Sequence, residues 1–233
     1  GTFRIVIVGG GAGGVELALS TQWRLKQALR AAGKDPSLLH HQLLTRSVGI
    51  MPGHSTGVRE RFERIFAERG IPIRTDSPVT EVTQAHVVTA GGDVVPADAV
   101  IWVTNASAPA WLRESGLAVD DAGFVRVDGL LRSVSDQSVF AAGDVASLPD
   151  ARPKSGVFAV RQGRVLADNL RAAAAGGSLR RYRAQKRFLG LISTGDRYAV
   201  ASYGGWSYES AWLWQAKDWI DRRFMRKYSE LPE

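Results

Sequence analysis

The stretch Phe3-Arg4-Ile5-Val6-Ile7-Val8-Gly9-Gly10-Gly11-Ala12-Gly13-Gly14-Val15-Glu16 decides the fold. From Phe3 to Val8 it is an almost continuous, β-branched apolar run, as a strand buried on both faces of a parallel sheet should be. Gly9, Gly11 and Gly14 follow in G-x-G-x-x-G spacing, and a helical pattern over residues 15–32, closed by Gly33, comes next. Each glycine has its own task at such a turn. The first permits the tight bend, the second lets backbone approach a pyrophosphate, and the third packs helix on strand. The helix start adds free N–H groups and a positive dipole end. A strand before and a helix after make this pattern a dinucleotide site, with Gly9, Gly10, Gly11, Ala12 and Gly14 as its backbone.

Further strand signals lie at residues 42–45, 71–74 and 99–104, and a helix capped by Ser55 or Thr56 stops at Gly70. Residues 79–83 and 86–95, the latter broken by Gly91-Gly92-Asp93, read as a β-hairpin meander. Strands alternating with helices around a glycine turn predict an α/β, doubly wound, Rossmann-like fold. After Asn105 the texture becomes Pro- and Gly-punctuated. A short buried strand, Val139-Phe140-Ala141-Ala142, is expected to deliver Gly143-Asp144, and a helix follows over 157–175. Strands over 188–192 and 198–203 then precede a final helix over 209–228.

The composition fits a globular chain: 45% of the 233 residues are hydrophobic and 23% charged, which excludes disordered and fibrous classes. No apolar run approaches the roughly 18–20 residues that cross a bilayer. The absence of cysteine removes disulfides, thiolate metal sites and a dithiol redox centre from this stretch, and fits a reducing compartment. The formal charge is +7, and residues 180–233 carry most of it: eleven Lys/Arg against six Asp/Glu, with four of the seven tryptophans. Such a surface suits something anionic. Nucleic acid is not expected, since no recognition motif accompanies the basic run at 180–187. Residue 1 is Gly and the first methionine is Met51, so the chain reads as a piece of a longer polypeptide.

Several side chains are candidates for binding or chemistry. Thr45, with Arg46 beside it, stands where a ribose-reading acid is expected; an arginine there either accepts a 2′-phosphate, favouring NADP(H), or is a solvated surface residue. Glu16 lies in the first turn after the glycines, as a partner of the helix dipole or as a carboxylate near the nicotinamide. Asp144, after Gly143 at the carboxyl end of a strand, can accept hydrogen bonds from a sugar alcohol or close a turn. His40 and His41 are adjacent and point to opposite faces of a strand, so no metal site is expected. On the last helix Trp212, Ala216, Ile220, Phe224 and Tyr228 recur every four residues beside Arg222, Arg223, Arg226 and Lys227. That stripe either packs on the preceding strands or docks on an anionic membrane.

Residues 9–16, Val103-Thr104-Asn105, residues 139–146, Pro153-Lys154-Ser155-Gly156 and Gln162-Gly163 occur in the order seen in pyridine nucleotide-disulfide oxidoreductase-like flavoproteins with two dinucleotide domains. Over essentially its whole length the chain resembles type II NADH dehydrogenases and sulfide:quinone oxidoreductases. Its ending, residues 192–200 and 217–225, resembles the subfamily associated with selenophosphate synthetase (selenide, water dikinase). The resemblance implies that Gly9, Gly11, Gly14 and Glu16 serve NAD(P)H. It further implies that Gly143 and Asp144 grip the FAD ribityl chain, and that Lys154, Gly156 and Val157 lie at a helix start beside the isoalloxazine. Glu16 and Lys154 are the candidate polarising groups, and no side chain is assigned as catalytic in its own right. Thr104-Asn105 departs from the family's Thr-Gly, but Asn tolerates a left-handed turn better than most residues.

The expected organisation is an NAD(P)-binding domain over 1–104, the C-terminal part of an FAD domain over 105–178, and a basic, Trp-rich interface region over 179–233. By the same resemblance the N-terminal half of the FAD domain is absent. The expected function is hydride transfer from NAD(P)H to FAD and on to a quinone, a sulfur or selenium species, or a protein acceptor. A selenophosphate synthetase partner is part of that expectation, and the fragment alone is expected to be inactive. The alternatives are a non-catalytic NAD(P)H-binding docking module and a peripheral-membrane quinone reductase. The expected location is cytoplasmic or on the inner face of the cell membrane.

Overall fold

The computed structural model describes residues 1–150, 153–185 and 187–229. The chain divides into two compact units, residues 1–104 with 189–233 and residues 105–188. The segment 179–233, read from the sequence as one region, is therefore shared between them.

In the first unit, strand β1 (Phe3–Val8) leads through the glycine turn into helix α1 (Ala12–Ala31), and a short 3₁₀ turn then enters β2 (Leu39–Leu44). Helix α2 (Thr56–Glu68) returns the chain to β3 (Ile73–Arg74). A meander of β4 (Val79–Val82), β5 (His86–Thr89) and β6 (Val94–Pro96) precedes β7 (Ala99–Trp102). The central sheet has the order β3-β2-β1-β7, all parallel, with Val6 facing Gln42 on one side and Val100 on the other.

The apolar run of β1 is explained by its two burials. Ile5 and Ile7 join Val15, Ala18 and Leu19 of α1 and Val58, Phe62 and Phe66 of α2 in one core. Val6 and Val8 face the meander, packing with Leu44, Val87, Val95 and Ala97. Helix α1 ends as its glycine predicts: Gly33 takes φ +67°, and the Lys34 N–H reaches back to the Leu29 carbonyl. At the start of α2, Ser55 holds the capping position, but its buried hydroxyl makes no capping bond.

The second unit holds the four-residue helix α3 (Trp111–Glu114), the parallel pair β8 (Val125–Arg126) and β9 (Ala146–Ser147), and the long helix α4 (Gly156–Ala174). Its core is Leu112, Val125, Val127, Ala141 and Ala146. The strand expected at 139–142 is not formed. Phe140 makes one isolated bridge to Arg132, and the chain turns through a 3₁₀ helix at Gly143–Val145. Apolar residues alone do not make a strand: this run is bonded to residues 131–133 on one side and finds no second strand among the described residues.

The chain then rejoins the first unit as an antiparallel sheet, β10 (Gly190–Ser193), β11 (Ala199–Tyr203) and β12 (Trp206–Ser210), followed by helix α5 (Ala211–Ser229). Ile192 and Val200 enter the α1–α2 core from one face of this sheet. Ala199 and Ala201 pack on Leu213 of α5 from the other. The β10–β11 turn is bound closely to α1. Gly195 has φ +86°, and a Cβ there would press on the Ser20 backbone at 2.5 Å. The sequence reading missed β12, assigning part of it to the helix.

Candidate nucleotide and flavin sites

The glycine turn separates its residues by task. A Cβ on Gly9 would collide with the Val103 carbonyl, and one on Gly14 with the Gly9 carbonyl, so both glycines are required by the protein's own packing. Gly9 also has φ +131°. At Gly11 an added Cβ would meet nothing within 4 Å. The second glycine therefore faces open space at the start of a twenty-residue helix, whose first N–H groups have no intrahelical partner. This cradle fits a pyrophosphate.

Behind it, Thr45 is buried against Gly10, and its hydroxyl accepts the Ser47 N–H. Thr45 thus shapes the turn, while Arg46 next to it is exposed. Met51, buried and held at φ +55°, donates its N–H to the Gly10 carbonyl at 2.7 Å, tying loop 46–54 to the glycine turn. A bulky residue in the left-handed region is strained and marks a position the surroundings enforce.

Glu16 is fixed by partners that the sequence reading did not find. Its Oε1 accepts the Ser193 N–H at 3.1 Å and lies 3.4 Å from Lys217 Nζ. Lys217 also donates to Asp221 Oδ2 at 2.9 Å. Burial opposes the charge of Lys217, but the Asp221 hydrogen bond and the nearby Glu16 carboxylate outweigh it, and its pKa lies above the usual lysine value. Residues 16, 193 and 217 are united only by the packing of α1, β10 and α5. The spacing of Lys217 and Asp221, four apart on a helix, was the one legible signal.

In the second unit the predicted residues gather around a cavity of about 130 Å³ lined by Gly143, Asp144, Lys154, Ser155, Phe158 and Gln162, among others. Gln162 accepts the Gly143 N–H at 2.6 Å, and Gly143 has φ +70°, so the turn presenting Asp144 is held from α4. Asp144, Gly156 and Val157 are exposed. Lys154 does not extend toward the α4 start. Its ammonium donates to the carbonyls of Asp144 (2.7 Å) and Ala146 (3.0 Å) and sits 3.6 Å from the Phe124 ring centroid. Desolvation lowers its pKa despite the charges of Asp120 and Asp144. Ser155, at the capping position of α4, keeps a buried hydroxyl with no partner among the described residues. That orphaned oxygen beside free helix N–H groups suits a polar group such as a flavin's. Thr104 and Asn105 are exposed, and the Thr104 hydroxyl accepts the Trp102 indole N–H at 2.8 Å.

Residues 2–163 match the family model described as pyridine nucleotide-disulphide oxidoreductase. The chain belongs to that family. It is similar to the demethylphylloquinone reductase NdbB of Synechocystis sp., at 29% identity over 64% of this chain and 35% of that protein. This family member thus spans about a third of that relative's length. Among solved structures, the sulfide:quinone oxidoreductase of Aquifex aeolicus has a TM-score of 0.74 at 17% identity, covering 96% of this chain and 58% of that one. NDH2 of Plasmodium falciparum, solved in complex with NADH, has a TM-score of 0.77 at 12% identity, covering 92% of this chain and 61% of that one. At these identities the structures show a common fold, the α/β Rossmann-like flavoprotein fold.

Proposed function

We propose that this chain is the NAD(P)H-binding part, with a portion of the flavin-binding part, of a flavin-dependent NAD(P)H:quinone oxidoreductase. The observation that carries the reading is the glycine turn, where Gly9 and Gly14 are demanded by packing and Gly11 is left open to a ligand. When bound, nicotinamide and flavin supply hydride transfer. The residues of this chain bind and orient: the 9–14 turn and the α1 start receive the pyrophosphate, and Arg46 reads a 2′-phosphate. Glu16, paired with Lys217, holds a carboxylate beside the nucleotide. Asp144 accepts from a polyol, and Gly156, Val157 and Ser155 present donors to the flavin, while Lys154 braces the 143–146 turn. A quinone acceptor is supported by the similarity to a demethylphylloquinone reductase.

The same reading places the protein at a membrane surface. No helix among the described residues is long and apolar enough to cross a membrane. The stripe on α5 is nevertheless not core: Trp212, Ile220, Phe224 and Tyr228 are exposed. Trp206 and Tyr208 of the edge strand β12 are also exposed, with stacked rings 6.0 Å apart. Exposed Trp and Tyr beside arginines suit the lipid–water interface. A second reading, a sulfur or selenium acceptor with a selenophosphate synthetase partner, draws on the resemblance of residues 192–200 and 217–225, which here form the β10–β11 hairpin and α5.

The test is the absorbance of the purified full-length protein with FAD, before and after anaerobic NADH or NADPH. Bleaching of the flavin bands, reversed by a water-soluble quinone, is expected. Nucleotide binding without bleaching would refute the oxidoreductase reading in favour of a docking module.

A further inference from the structure

Lys217 stands at the boundary between the packed and the projecting halves of α5. Leu213 is buried, and Trp214, Ala216, Lys217 and Asp218 are half-buried, whereas every residue from Trp219 to Ser229 is exposed. Ile220, Phe224 and Tyr228 prolong the packed face beyond the sheet that covers its beginning, with the last two rings 4.9 Å apart. Arg222, Arg223, Arg226 and Lys227 surround them. An apolar stripe flanked by four exposed cations complements the charge and polarity of an anionic lipid surface.

We infer that contact of this projecting half with anionic lipid moves Lys217 from Asp221 onto Glu16, and so raises the affinity of the glycine turn for NAD(P)H. The inference rests on the dinucleotide and membrane readings above. The Lys217 ammonium is divided between Asp221 Oδ2 (2.9 Å), on the projecting half, and Glu16 Oε1 (3.4 Å), on α1. Asp221 is one turn from Phe224 and Met225, so a surface that receives those side chains brings negative charge against its carboxylate. Weakening that bond leaves Lys217 to Glu16. Glu16 lies near the α1 start, where the phosphates bind. A carboxylate that shares its lysine with Asp221 repels them more than one that holds the lysine alone. Because the coupling is between binding equilibria, bound nucleotide must tighten lipid attachment by the same factor.

The experiment titrates NADH and NADPH into the chain with and without phosphatidylglycerol vesicles at low salt, using phosphatidylcholine vesicles as control and co-sedimentation to score attachment. Anionic vesicles are expected to lower the nucleotide Kd about five-fold or more, and neutral vesicles to leave it unchanged. D221N should show the tightened Kd without vesicles. K217M should still sediment with vesicles but show no change in Kd. Replacing Arg222, Arg223, Arg226 and Lys227 together by Glu should abolish attachment while keeping the solution Kd. Attachment with an unchanged wild-type Kd would overturn the coupling alone. No attachment, or a dimer dissolved by the four-Glu variant, would overturn the choice of lipid. No nucleotide binding under any condition would overturn the dinucleotide reading itself.

Discussion

At the scale of single residues, three glycines that look alike in the sequence have different physical duties. Gly14→Ala forces a Cβ into the Gly9 carbonyl and should destabilise the chain by about 1–3 kcal/mol, read as a lower urea midpoint. Gly11→Ala meets no protein atom, so stability should hold while NAD(P)H affinity drops at least ten-fold by calorimetry. The reverse pattern would refute the assignment of the open cradle. His41 makes a second residue-scale case. Its ring is buried beside Thr21, and burial first, then the charge of Lys26, pushes its pKa down from 6.5 to about 4. The folded state thus refuses a proton that the unfolded chain accepts. Above pH 6.5 neither state carries it. Between pH 6.5 and about 4 stability should fall as pH falls, by at most about 3 kcal/mol, and below that window this contribution levels off. His41→Leu should reduce that slope in urea titrations, since Thr21 also bonds the Leu17 carbonyl. His54, lowered by burial, keeps a slope of the same sign.

At the scale of elements, the first βαβ unit was legible because its periodicities are local: a both-faces-buried strand, a glycine turn and a helix ending in glycine all lie within 33 residues. The C-terminal sheet was only partly legible. Residues Trp206–Ser210 are an edge strand whose inward side chains are polar, held by ion pairs rather than by an apolar face. Arg61 and Arg64 of α2 both reach Glu209, whose side chain is mostly buried, and Arg61 also donates to Ser207. Arg69 pairs with Asp196 in the β10–β11 turn and donates to the Thr194 carbonyl. Glu209→Ala leaves two guanidinium groups facing each other and should cost about 2 kcal/mol, seen as a lower Tm. An unchanged Tm would mean that apolar contacts alone hold β12 to α2.

At the scale of the whole chain, the projecting half of α5 makes few of the contacts that stabilise a helix in water. Trypsin should therefore cut first among Arg222, Arg223, Arg226 and Lys227, and anionic vesicles should slow those cuts relative to cuts elsewhere. Equal protection by neutral vesicles would argue against charge as the attraction. The stripe of four-residue spacing was visible in the sequence, yet spacing cannot say what covers a face. The same pattern serves a core helix and an interfacial one.

By itself the sequence determined the α/β class, the tight glycine turn between β1 and α1, the end of α1 at Gly33 and the family. Each is encoded in adjacent residues whose sterics and periodicity need no distant partner. Only the tertiary structure decided that residues 189–229 build onto the unit formed by residues 1–104, that Glu16 meets Ser193 and Lys217, that Lys154 braces a turn, and that the α5 stripe stands in the open. Those outcomes depend on which surfaces meet across a hundred residues or more, or on how a long side chain settles among the carbonyls within its reach. A linear pattern specifies neither.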